Sequence, residues 1–191
     1  MNYQKIVAIA SSTGGPKALQ SVIPKLPGDL NVPVLIVQHM PAGFTASLAD
    51  RLNHLSQLTV KEATEGTVLE KNHVYIAKGG KHLVVKPKGK ELVLQFLDEP
   101  VREGVKPCAN YLYESLANST CEEIICVVMT GMGADGAEGI ANLKKSKKVT
   151  VITQDERSCA VYGMPKSVVK AGLSDIVVSL DNLADAIVKS V

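Results

Sequence analysis

Five short runs rich in valine and isoleucine set the strongest limit on how this chain can fold. They are "KIVAIAS" (5–11), "VPVLIVQH" (32–39), "EIICVVMT" (123–130), "KVTVITQ" (148–154) and "SDIVVS" (174–179). Each is apolar nearly throughout instead of alternating, the pattern of strands covered on both faces. Amphipathic stretches separate them. "PKALQSVIPKL" places Pro16 where a helix can begin, and "AGFTASLADRLNHL" predicts one helical face from Phe44, Leu48, Leu52 and Leu55. "PCANYLYESLAN", "GAEGIANLKKS", "MPKSVVKAG" and "LDNLADAIVKSV" continue the alternation. Strands and helices in this order predict an α/β fold with a doubly wound, mostly parallel sheet. The stretch 73–97 differs and reads as an antiparallel hairpin at one sheet edge, turning at "KPKGK". With no internal repeat, low-complexity tract or linker, one domain is expected over residues 1–191.

Charge and cysteine usage narrow the function classes. A net charge of +2 gives no reason to expect a nucleic-acid partner. The cluster "KKSKK" (144–148) falls where a helix should end, next to carbonyls that favour cations. Cys108, Cys121, Cys126 and Cys159 form no C-x-x-C pair and read as free thiols. His39, His54, His73 and His82 show no metal-ligand spacing with them, so no metal site is expected. No apolar run is long enough to span a bilayer and no secretory leader is recognisable, which predicts a cytoplasmic protein without membrane insertion.

Chemistry concentrates where the apolar runs stop. The first ends at Ser11-Ser12-Thr13, the second at Gln38-His39, and the third at Thr130-Gly131-Met132-Gly133-Ala134-Asp135-Gly136. In an open α/β sheet, the carboxyl ends of the strands line the ligand crevice. A hydroxyl, an imidazole and a carboxylate therefore arrive on one rim from three strands, the residue types that nucleophilic acyl transfer needs. "SSTGGPK" fits neither the phosphate loop G-x-x-x-x-G-K-[ST], nor the dinucleotide loop G-x-G-x-x-G, nor the hydrolase elbow G-x-S-x-G. Still, a serine at a strand end before two glycines can stand exposed at a helix amino end, where backbone N–H groups can meet an oxyanion.

Five segments together go further. "ASSTGGPKAL" (10–19), "VQHMPAGFTASLADRLN" (37–53), "HVYIAKGGKHL" (73–83), "TGMGADGAEGI" (130–140) and "TQDERSCAVYGMP" (153–165) resemble the catalytic domain of the protein-glutamate methylesterases of bacterial chemotaxis. The resemblance implies a doubly wound α/β fold and a serine hydrolase that removes methyl esters from receptor glutamates and deamidates receptor glutamines. It implies Ser12 as nucleophile, His39 as general base and Asp135 as orienting carboxylate. For the oxyanion, the backbone N–H groups near Thr13 and Met132 are the expected donors. No metal or organic cofactor is implied. The expected partners are the cytoplasmic helical bundles of methyl-accepting receptors. The family usually joins this domain to a receiver domain, which the stretch 1–191 lacks, so a receiver would act in cis or in trans.

Two departures stand out. Ala134 replaces an asparagine common before the aspartate, and "EPVREGVKPCANYL" lacks the His and Ser expected near its proline. Ser11 competes with Ser12, and Asp155 with Asp135. His54, His73 and His82 read as surface or packing residues. Two other function classes stay open at this level: a non-catalytic phosphate- or nucleotide-binding module built on the Gly14-Gly15 turn, and a receptor-interaction module without turnover.

Overall fold

A computed structural model of the protein describes residues 4–191. The four most buried runs form the middle of one sheet: β1 (Lys5–Ser11), β2 (Val34–Gln38), β7 (Glu123–Val128) and β8 (Lys148–Gln154). With β3 (Thr59–Glu62), β4 (His73–Ile76) and β9 (Ile176–Val178) they make a seven-stranded sheet in the order β3-β4-β2-β1-β7-β8-β9. Every pairing in it is parallel. β3 escapes the sequence reading because it is a short edge strand, "TVKE", with only Val60 fully buried.

Alternation along each strand builds two cores. Ile6, Ala8 and Ala10 of β1 face one of them, packed with α3 (Ala109–Ser115), α4 (Ala137–Leu143) and α5 (Met164–Lys170). Val7 and Ile9 face the other, packed with α1 (Gly15–Val22), α2 (Phe44–Leu55) and α6 (Leu180–Ser190). β1 and β7 are neighbours, yet α1, which follows β1, and α4, which follows β7, cover opposite faces. The sheet reverses its winding between these strands, and a crevice opens there at their carboxyl ends.

Two expectations need correction. Residues 73–76 do not belong to the hairpin but form the parallel strand β4. The hairpin is β5 (His82–Lys88) with β6 (Glu91–Leu97), a two-stranded sheet of its own that packs Leu83, Val85, Leu92 and Leu94 into the α3 side of the core. The buried face of α2 is Thr45, Leu48, Ala49 and Leu52, while Phe44 and Leu55 are 59% and 48% exposed. At about 100° per residue, Phe44 and Leu55 both lie on one side of Leu48 while Thr45, Ala49 and Leu52 lie on the other, so the predicted stripe is rotated off the buried face. As expected, α4 ends at Leu143, and the basic cluster follows directly.

Candidate active site

The strand ends carry the predicted residues to one place. β1 and β2 pair in register through Ser11 and Gln38, and His39 N donates to Ser11 O at 3.1 Å. Ser12 N donates to Thr130 O at 3.0 Å, continuing the seam between β1 and β7. Ser12 and His39 therefore follow directly on a paired step of neighbouring strands, which lie about 4.8 Å apart. Beyond Ser12, Gly14 takes a left-handed conformation (φ 79°) and starts α1. Ser11, the competing serine, is fully buried, and its hydroxyl donates to Gln38 Oε1 at 2.6 Å.

His39 and Asp135 meet directly, with Nε2 2.7 Å from Oδ2 and both side chains almost fully buried. A carboxylate only accepts, so Nε2 carries the proton and, in the neutral ring, Nδ1 keeps the lone pair. Asp135 is held from the other side by the start of α3. Oδ2 also accepts from Ala109 N at 2.7 Å, while Oδ1 accepts from Asn110 N and from the Cys108 thiol, both at 3.0 Å. Burial by itself would raise this carboxyl, but the bonds from His39, Ala109 and Cys108 outweigh it and bring it below its ordinary value. Asp135 is thus built to remain an anion. The same surroundings make Cys108 a poor nucleophile: burial, then the Asp135 charge, push its thiol up to about 12.

The support is reciprocal. Asp135 caps α3, and Asn110 on α3 caps α4, its Oδ1 accepting from Gly136 N at 2.9 Å and Gly139 N at 2.7 Å. Ala134 is exposed, so the carboxylate draws its support from Cys108, Ala109 and Asn110, within the segment whose departures stood out in the sequence. That segment is tied down upstream by Arg102, whose guanidinium forks onto Glu114 at 2.7 and 2.8 Å and reaches Glu138 at 2.8 Å.

The Ser12 side of this arrangement is open. Among the described residues, the Ser12 hydroxyl makes no hydrogen bond, to His39 or to any other group. Contacts of this kind often tighten only once substrate is bound. The N–H groups of Thr13 and Met132 likewise find no protein acceptor among the described residues, and Met132 is 70% exposed. Next to the imidazole, a cleft of about 270 Å³ is lined by His39, Met40, Pro41, Val105 and Lys106. The His39 ring is bonded to Asp135 and not to Asp155, whose carboxylate accepts from the backbone and hydroxyl of Ser158.

His82 is more than packing. It is fully buried; Nδ1 accepts from Cys108 N at 3.1 Å and Nε2 donates to Pro100 O at 2.9 Å, which links it to the segment that holds Asp135. Burial, helped by the Lys106 charge, lowers its pKa below 6.5 despite opposing effects of Pro100 and Asp135. With the folded value below the unfolded one, the unfolded chain binds more protons as pH drops through 6.5. The His82 contribution to thermal stability is therefore expected to be level above about pH 7 and to be lost as pH drops through 6.5 towards the folded value. In His82→Gln, which can accept from Cys108 N and donate to Pro100 O, this decline should be lost; a decline in Tm unchanged as pH drops through 6.5 would assign it to another group.

Among the described residues, no group of three or more His, Cys, Asp and Glu side chains could hold a metal ion, and no helix is long and apolar enough to cross a membrane. The family model of the CheB methylesterases matches residues 7–187. The protein-glutamate methylesterase/protein-glutamine glutaminase of Bacillus subtilis (strain 168) is 50% identical over 190 residues, covering 98% of this chain and 53% of its own length. That of Geobacillus kaustophilus (strain HTA426) is 48% identical over 186 residues, covering 97% of this chain and 53% of its own. The crystal structure of the Thermotoga maritima CheB methylesterase catalytic domain superposes with a TM-score of 0.94 at 40% identity, covering 98% of both chains. The chain thus spans about half the length of the curated relatives it matches.

Proposed function

The chain belongs to the CheB methylesterase family, and from that membership we propose that it hydrolyses glutamate methyl esters on chemoreceptors by a Ser12–His39–Asp135 mechanism. The observation that carries the reading is the 2.7 Å bond to a quadruply anchored Asp135 from His39, on a strand end paired with the one that carries Ser12, whose hydroxyl has no hydrogen bond among the described residues.

His39 Nδ1 takes the Ser12 proton as Oγ attacks the ester carbonyl carbon. Negative charge moves to the carbonyl oxygen, where the N–H groups of Thr13 and Met132 are the proposed donors. The tetrahedral intermediate collapses, and the imidazolium protonates the departing methoxide, releasing methanol. Water then gives its proton to Nδ1 while its oxygen attacks the glutamyl-Ser12 ester. Breaking the bond to Oγ returns that proton to Ser12 and leaves a glutamic acid, which gives its remaining proton to solvent and departs as the carboxylate. Through both steps Asp135 holds the ring in the required tautomer and offsets the imidazolium charge. Glutamine deamidation follows the same path with ammonia as leaving group.

The proposed substrate is the cytoplasmic helical bundle of a methyl-accepting receptor, which implies a cytoplasmic enzyme. Residues 1–191 form the catalytic domain in this reading, and a receiver domain, in cis or in trans, supplies control. The test is incubation with a receptor whose glutamates carry radiolabelled methyl esters. Labelled methanol should appear, and a receptor with glutamine at those positions should gain carboxylates. Neither product forming, with the protein folded, would refute the assignment.

A further inference from the structure

The residue that joins the two strand ends belongs to neither proposed reacting group. Gln38 is the last residue of β2 and only 1% exposed. Its Nε2 donates to Ser12 O at 2.9 Å and to His39 O at 3.2 Å. Its Oε1 accepts from the buried Ser11 hydroxyl at 2.6 Å. The Ser12 and His39 carbonyls can only accept, so they fix the NH₂ end of the amide against themselves, and the Ser11 hydroxyl then donates to the oxygen end. One side chain thus grips the backbones of both Ser12 and His39, while a neighbouring serine satisfies its oxygen.

The packing around it is equally specific. Gly15 is the first residue of α1, and a Cβ there would lie 1.9 Å from Gln38 Oε1 and 3.0 Å from Ser11 Cβ. The second glycine of "STGGP" therefore supplies space for this amide, whereas the first supplies a left-handed backbone.

We propose that Gln38 is a positioning residue that sets the separation of Ser12 and His39, and that Ser11 and Gly15 serve it. This rests on the reading of those two residues as nucleophile and base. The Ser12 hydroxyl is not hydrogen-bonded to the ring in this structure, so closure during reaction depends on where the two main chains are held. Gln38 ties both of them to one planar group. Releasing the amide lets the strand ends drift, and a misplacement of about 1 Å is enough to cost about 10²-fold in rate.

Two variants test the bracket on the methyl-labelled receptor by different routes. Gln38→Glu keeps shape and the acceptor for Ser11 but loses the NH₂ donors. Gly15→Ala leaves Gln38 in the sequence and displaces its amide. Each is expected to lower kcat by about 10²-fold while KM changes by less than about twofold. The Glu variant should also recover as pH falls, measured as its kcat relative to wild type, because a protonated carboxyl regains one O–H donor and burial raises the pH at which this happens. Gly15→Ala should show no such recovery. Global destabilisation would not produce a pH-selective rescue in one variant alone, and if the Glu variant does not fold, Gly15→Ala carries the test. A kcat for folded Gly15→Ala within about twofold of wild type would overturn the proposal. Ser12→Ala assayed alongside separates the two levels: methanol release at the wild-type rate by that variant refutes the underlying nucleophile assignment, whereas its loss together with normal Gly15→Ala turnover refutes the bracket alone.

Discussion

Ser12→Ala is expected to lower methanol release from the labelled receptor by on the order of 10⁶-fold in kcat, the scale seen when the subtilisin nucleophile is removed. What survives would be the contribution of binding and oxyanion donors, about 10³–10⁴ over water. Ser11 cannot take over, because it is fully buried and its hydroxyl is committed to Gln38. The substitution should leave the fold intact. Among the described residues the Ser12 hydroxyl holds no hydrogen bond, so its removal leaves no buried partner unsatisfied, and a stability change within about 0.5 kcal/mol is expected. A folded Ser12→Ala protein that still releases methanol at more than about a tenth of the wild-type rate would remove Ser12 from the mechanism.

Asp135→Asn should cost about 10⁴-fold in kcat, as the equivalent change does in the serine-protease triad. The local geometry gives the reason. Both carboxylate oxygens face donors only: His39 Nε2 and Ala109 N on one, Cys108 Sγ and Asn110 N on the other. Whichever way an asparagine is turned, its NH₂ meets two donors. If it faces His39, the ring keeps a hydrogen bond only by moving its proton to Nδ1, which destroys the lone pair needed to accept the Ser12 proton. If it faces α3, the helix start loses its cap. This variant should therefore also lose stability, by about 1–3 kcal/mol, which for a chain of this size is a fall in Tm of several degrees. A kcat loss below tenfold would mean that another carboxylate orients His39. Asp155 could not do so without abandoning Ser158.

The two predictions differ in how far they could be foreseen. Ser12, His39 and Asp135 were visible because each follows an apolar run, and a run buried on both faces marks a central strand whose end opens on the crevice. Gln38 stood in the same stretch, but a glutamine closing a strand gives no sign of which carbonyls it will reach. Cys108 and Asn110 stand at the start of a stretch that reads as an amphipathic helix, but that pattern does not say what the helix start will meet, so their part in holding Asp135 had no sequence signal. His82 read as ordinary packing, because its two hydrogen bonds run to backbone groups, which carry no residue identity.

The fold divides along the same line. β1, β2, β7 and β8 were legible because burial on both faces leaves a continuous apolar record. β3 left none, being a short edge strand, and residues 73–76 were drawn into the hairpin because a strand's own residues do not state which neighbour it pairs with. By itself, then, the chain determined which segments are strands and where reactive side chains leave them, since both follow from patterns local to a few residues. Only the tertiary structure decided which strand pairs with which, that α3 anchors Asp135 and that Gln38 binds two backbones. Those are matters of direction and distance between groups far apart in sequence, and a hydrogen bond exists only where both are met.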